Sequence, residues 1–230
     1  MTLIGTLYTV PGRFHPRTRK IFAAARLNSL ELQVPEGFEP GETNRTLEFL
    51  KKFPLGKIPA FETLEGFKLA ESSAIASYIA GHGPKGEQLL GANPEDRAKN
   101  QQWILFNELH VEGTLYTLAA WRMEIEHYDA KKEEAAAKDL VRWLDYYELH
   151  LSDRQWFVNA DGAGPSPADL TTGGTVFALY FAYVDAEMRK TYPKIFEFFE
   201  RLKQTAGMTD IYTGPMVEKR QPPPDRLQSH

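Results

Sequence analysis

Between residues 57 and 72 the chain carries Lys57-Ile58-Pro59 and, after a short polar turn, Glu71-Ser72. A proline at 59 holds Ile58 extended, because the α region is sterically disfavoured before proline. A cis bond at this proline would mark a turn with a function, which sequence does not reveal. An extended residue at such a turn leaves its N–H and C=O free to pair with an extended peptide, like one rung added to a sheet edge. Glu71 and Ser72 fall where a helix begins, so unpaired N–H groups and the positive dipole end would attract a carboxylate there. The same two residues would also suit simple capping of that helix. Taken together with Lys57-Ile58-Pro59, they describe a pocket for a short acidic peptide.

Positioning these groups needs strands that end at the turn and a helix that starts at the acid. Leu3 to Val10 reads as a strand stopped by Pro11-Gly12, and Arg17 to Leu30 as a helix with Ile21, Ala24, Ala25 and Leu27 inward. A strand from Leu30 to Val34, a loop from Glu36 to Thr43 and a short helix around Thr46 to Phe53 follow. Ile58 to Thr63 and Phe67 to Ala70 form a hairpin around Glu65-Gly66, and Ser72 to Ile79 a helix. The order β-α-β-α-β-β-α is that of a thioredoxin-like domain. Gly81 to Leu90 reads as linker, after which the pattern is purely helical.

Asn93-Pro94-Glu95-Asp96 starts a helix through Trp103, Phe106 and Leu109, continuing past Tyr116 towards Glu126. A second runs from about Ala130 to Leu151, striped by Leu140, Trp143, Leu144, Tyr147 and Leu151. Ser166-Pro167-Ala168-Asp169 is a capping box that launches a helix through Tyr183. Tyr192 to Thr205 gives a last amphipathic helix, and the proline-rich tail from Gln221 is expected to be loose or draped on the surface. The expected division is 1–82 for the thioredoxin-like domain, 83–91 for the linker, 92–220 for the helical domain and 221–230 for the tail.

The residues Gly5 to Thr9, Thr43 to Thr46, Glu48 to Pro54, Lys57 to Phe61 and Gly66-Phe67 through Tyr78 resemble the glutathione transferase superfamily. The similarity is closer still to the transferase-like domain of the gamma subunit of the eukaryotic translation elongation factor 1 complex. It is strong over the first eighty residues and weak beyond. It implies an α+β class, with an N-terminal thioredoxin-like domain followed by an all-α helical domain. It also implies glutathione as co-substrate, conjugated through its thiolate to an apolar electrophile, and a cytoplasmic homodimer. Ser72 would then donate to the γ-glutamyl carboxylate, Glu71 accept from its ammonium, the main chain at Ile58 and Pro59 hold the cysteinyl unit, and Lys57 face the glycine carboxylate.

The resemblance further implies a hydroxyl near the end of the first strand that activates the thiol. Tyr8 and Thr9 are the candidates, with Arg13 able to stabilise a thiolate by charge. Tyr8 reads equally well as a buried strand aromatic. The loop Pro11 to Pro16 has no serine where serine-type transferases carry theirs, and His15 offers a weaker candidate base. Tyr116, Trp121 and Phe177 are candidate walls for the electrophile. The rival implication is a non-catalytic interaction module like the gamma subunit's own domain.

Composition narrows these readings. The 230 residues contain no cysteine, which excludes disulfides, a Cys-x-x-Cys centre and a cysteine nucleophile, so a reacting thiol must arrive with the ligand. A net charge of −4 argues against a nucleic-acid surface. No apolar run approaches a membrane span, and no export signal is evident, so Asn44-Arg45-Thr46 carries little weight as a glycosylation acceptor. His110, His127 and His150 are too scattered for a metal cluster, and no metal is expected.

Overall fold

The computed structural model of the protein describes residues 1–10 and 15–224. Strands β1 (Thr2–Tyr8), β2 (Leu30–Gln33), β3 (Ala60–Thr63) and β4 (Lys68–Ala70) form one sheet in the order β2-β1-β3-β4. β1 runs parallel to β2 and antiparallel to β3, with Tyr8 opposite Ala60, and β4 is antiparallel to β3. The crossover from β1 to β2 is α1 (Pro16–Leu27); α2 (Leu47–Lys52) precedes the turn into β3, and α3 (Ser72–Gly81) follows β4. This is the thioredoxin-like arrangement expected from the alternation of elements.

The rest is helical: α4 (Gly86–Leu90), α5 (Pro94–Phe106), α6 (Glu112–Ala120), α7 (Ala130–His150), α8 (Pro167–Ala182), α9 (Ala186–Thr191), α10 (Pro193–Gln204) and α11 (Thr209–Tyr212). None of the described helices is long and apolar enough to cross a membrane. One apolar core runs through both halves, from Leu7, Ile21 and Ile75 to Trp103, Leu144, Phe177 and Leu202. A smaller one, Phe38, Phe49, Phe53 and Ala60, closes around Tyr8 and Ile58.

Three readings change. The expected linker contains α4, because Leu89 is fully buried and pulls the segment into a turn of helix against the core. The single long helix after Asn93 is interrupted by a π turn at Asn107–Val111, between α5 and α6, and ends at Ala120. Trp103, Phe106 and Leu109 would share a face in an unbroken α-helix. The wider turn shifts the register, leaving Leu109 70 % exposed. Asn107 fixes that turn: its Nδ2 donates to the Trp103 carbonyl and to Thr172 Oγ1, and the Tyr147 hydroxyl donates to its Oδ1 at 2.6 Å. The tail lies on the surface as far as it is described, with the Gln221 carbonyl accepting from Arg122 Nε.

Helix α1 is packed on two sides, by α3 and by α8, and so buries Thr18, Arg19 and Lys20 besides the expected Ile21, Ala24 and Ala25. Leu27, expected inward, is only half-buried at the end of the helix. The approach to α8 is close: a Cβ on Gly174 would sit 2.9 Å from the Pro16 carbonyl oxygen. Glycine there sets where the first turn of α1 lies.

Candidate functional site

A cavity of about 290 Å³ opens where β3, β4, α3 and the first turn of α1 meet. It is lined by Lys57, Ile58, Pro59, Glu71 and Ser72, so all five residues expected to bind the peptide converge on it. The Ile58–Pro59 bond is cis. Past the Tyr8–Ala60 pair the ladder stops, and among the described residues the N–H and C=O of Ile58 have no backbone partner. An extended peptide can take that place.

At the start of α3, Glu71 adopts φ +67° and its side chain does not cap the helix. A non-glycine residue in that region costs of order 1–3 kcal/mol and persists only where its surroundings over-determine it. Here it turns the chain sharply from β4 into α3. Ser72 is buried, yet lines the cavity. The capping alternative for Glu71 is therefore not what the structure adopts, and the first N–H groups of α3 face their ligand question open.

The cavity is rich in cations. Lys52 and Lys68 flank Glu62 at 2.7 and 3.3 Å, and Arg17 pairs with Glu112 at 3.1 Å. Lys57 is exposed and has no ion-pair partner among the described residues. Against these four cations the lining offers one carboxylate, Glu71. The arrangement suits an extended ligand that carries a carboxylate at each end and an amine near Glu71.

Behind Ser72 lies a network that no spacing announced. The ammonium of Lys20, a residue 2 % exposed, donates to Ser73 Oγ and to Glu108 Oε1, each at 2.7 Å, and the Ser73 hydroxyl also donates to Glu108. Burial alone would raise the Glu108 carboxyl, but the charge and hydrogen bond of Lys20 and the bond from Ser73 outweigh it and hold it below its ordinary value. With Arg17–Glu112, this ties α1 and the opening of α3 to the π turn and α6.

The residues expected near the thiol are less gathered. Tyr8 does not line the cavity. Its ring stands edge-on to Phe49 and Phe53, and its hydroxyl donates to Glu62 Oε2 at 3.2 Å. Burial first, then Glu62, raises its pKa, with Lys52 pulling the other way. Thr9 is buried just beyond β1, away from the cavity lining. Arg13 lies outside the described residues. Of the candidate walls, Phe177 is core beneath Arg19, Trp121 Nε1 donates to Glu133, and Tyr116 donates to Glu126 on the surface, so the three do not form one wall.

Residues 4–81 match the family described as the glutathione S-transferase N-terminal domain. Over 223 residues the chain is 37 % identical to a glutathione S-transferase-like protein, FUS3, of Gibberella moniliformis, covering 96 % of this chain and 98 % of that one. It is 34 % identical over 198 residues to elongation factor 1-gamma of Rattus norvegicus, covering 85 % of this chain but 43 % of the relative's length. The GST-like domain of elongation factor 1-gamma from Saccharomyces cerevisiae superposes with a TM-score of 0.81 at 22 % identity, over 96 % of this chain and 99 % of the domain. By fold, by the match across the sheet-bearing half and by identity along nearly its whole length, the chain belongs to the glutathione S-transferase family.

Proposed function

We propose that the cavity binds glutathione and that the protein conjugates the bound thiolate to an apolar electrophile. The observation that carries this is the opening of α3: a helix start left uncapped by Glu71, with Ser72 lining the same cavity as the unpaired Ile58 backbone and the unpartnered Lys57. In this reading the Ser72 hydroxyl and the α3 N–H groups take the γ-glutamyl carboxylate, and Glu71 takes its ammonium. The Ile58 N–H and C=O flank the cysteinyl unit at Pro59, and Lys57 meets the glycine carboxylate. Tyr8, Thr9 and Arg13 remain the groups that the family resemblance nominates beside the sulfur. Action in the cytoplasm as a homodimer belongs to the same proposal.

The test is calorimetric titration with glutathione beside turnover of a generic aromatic halide. Binding that is lost in Ser72→Ala, with turnover in the wild type, supports the proposal; no binding by the wild type ends it. A second reading, a non-catalytic interaction module, draws on the engaged hydroxyl of Tyr8 and on the identity to elongation factor 1-gamma. Tight binding without turnover would favour it.

A further inference from the structure

We infer that His15 is the catalytic residue that holds the ligand's sulfur as thiolate, its Nδ1–H donating to the sulfur at the start of α1. This rests on the glutathione reading of the cavity and adds to it the group that faces the thiol.

The topology brings the two together. Because Tyr8 pairs with Ala60, the chain that leaves β1 runs beside Ile58–Pro59, where the central unit of an extended peptide would be held. It re-enters regular structure at His15, the residue preceding α1. Two residues on, Arg17 already lines the cavity with Ser72, and three further on Lys20 bonds Ser73, the next residue of α3. His15 therefore stands at the margin shared by α1, α3 and the cis proline.

The side chain itself is unspent. The His15 carbonyl is engaged, accepting from Thr18 N at 3.2 Å and Thr18 Oγ1 at 2.9 Å, but its ring does not cap the helix. Its Nδ1 is buried and has no hydrogen-bond partner. A buried polar atom without a partner calls for an explanation, and a missing ligand is one.

The surroundings favour an anion. The 12-residue helix α1 has no acidic residue in its first turn and carries Arg17 and Lys20 near its start. One turn beyond His15, on the same face, Arg19 is 1 % exposed, stacked 3.4 Å over Phe177, and unpartnered on all three guanidinium nitrogens. Helical side chains lean towards the helix N-terminus, so this unmet cation adds to the positive field there. Helix N-termini and neighbouring cations lower a thiol's pKa from its free value of about 8.5. Burial, and then the charges of Arg17 and Lys20, keep the imidazole neutral at neutral pH, so it can hold its proton on Nδ1 as donor. Tyr8, the rival, already donates to Glu62.

The chemistry balances simply. The S–H bond breaks, its proton passes to solvent, and the electron pair stays on sulfur; the imidazole remains neutral throughout. The sulfur then forms its bond to carbon while a leaving group such as halide departs with the displaced electron pair.

The experiment is an ultraviolet titration of the thiolate of glutathione bound to wild type, His15→Ala, His15→Asn and Tyr8→Phe, beside glutathione affinity for each. The expected result is a bound thiol ionising at least one pH unit higher in His15→Ala, about tenfold less thiolate at neutral pH, with affinity changed less than about threefold. The Asn amide, which can place a donor near the Nδ1 position, should restore part of the shift. An unshifted thiol in His15→Ala, or the shift appearing in Tyr8→Phe alone, overturns the assignment while leaving the binding site standing. Failure of the wild type to bind glutathione removes the reading beneath it instead.

Discussion

At the start of α8 a hydroxyl and a carboxylate close on each other, whereas at the start of α3 the same two kinds of group are left open to a cavity. Asp169 Oδ2 accepts from the Ser166 N–H at 2.8 Å and from the Ser166 hydroxyl at 2.5 Å, and its Oδ1 accepts from the Phe157 N–H at 2.8 Å. Both residues are fully buried, and nothing about them is available to a ligand. Glu71, by contrast, is exposed and does not cap α3, and Ser72 lines open space. A helix start that satisfies itself is a folding device. One held unsatisfied, beside a residue at positive φ, is poised for something else.

The sharpest break of this comparison is Asp169→Ala. It strands two buried N–H groups and a hydroxyl, and unfolding in denaturant should show a loss of about 3–5 kcal/mol. Next comes the matched pair Ser166→Ala and Ser72→Ala. The first should cost about 1–2 kcal/mol of stability, as for a lost N-cap. The second should leave stability within about 0.5 kcal/mol while weakening glutathione about 10- to 100-fold, the worth of a hydrogen bond to a charged group. Equal stability losses would erase the distinction.

Lys20→Met probes the tie behind α3. In the wild type the Glu108 carboxyl ionises below its ordinary value, so its pairing contributes stability above the unfolded pKa of about 4.5 and loses it as pH falls through the lower folded value. Wild type should therefore lose part of its stability on acidification from about pH 5, and Lys20→Met should flatten that part of the profile. Lys57→Ala is expected to have the smallest effect, a two- to fivefold loss of glutathione affinity that fades in high salt, since an exposed charge is readily screened.

The cavity itself was legible because its parts are local. A proline restricts the residue before it, and a helix start is written in a few neighbouring side chains, so Ile58, Pro59, Glu71 and Ser72 could be read in place. The capping box at Ser166 was legible for the same reason. The network of Lys20 with Glu108 joins residues 88 positions apart and depends on how α1 is sandwiched, which no period encodes. Tyr8 shows the limit from the other side: its type and position suit chemistry, yet a carboxylate on the neighbouring strand holds its hydroxyl. The π turn escaped because a continuous apolar pattern from Trp103 onward looks the same whether or not one turn is wide.

That wide turn sets how the two halves can be altered together. In an α-helix each residue advances about 100° around the axis. Deleting one residue within 107–111 would restore ordinary winding and swing the acid at 112 away from Arg17 relative to everything upstream. A shortening that looks conservative, and that improves the helix as a helix, would thus uncouple the far half from the peptide-gripping edge.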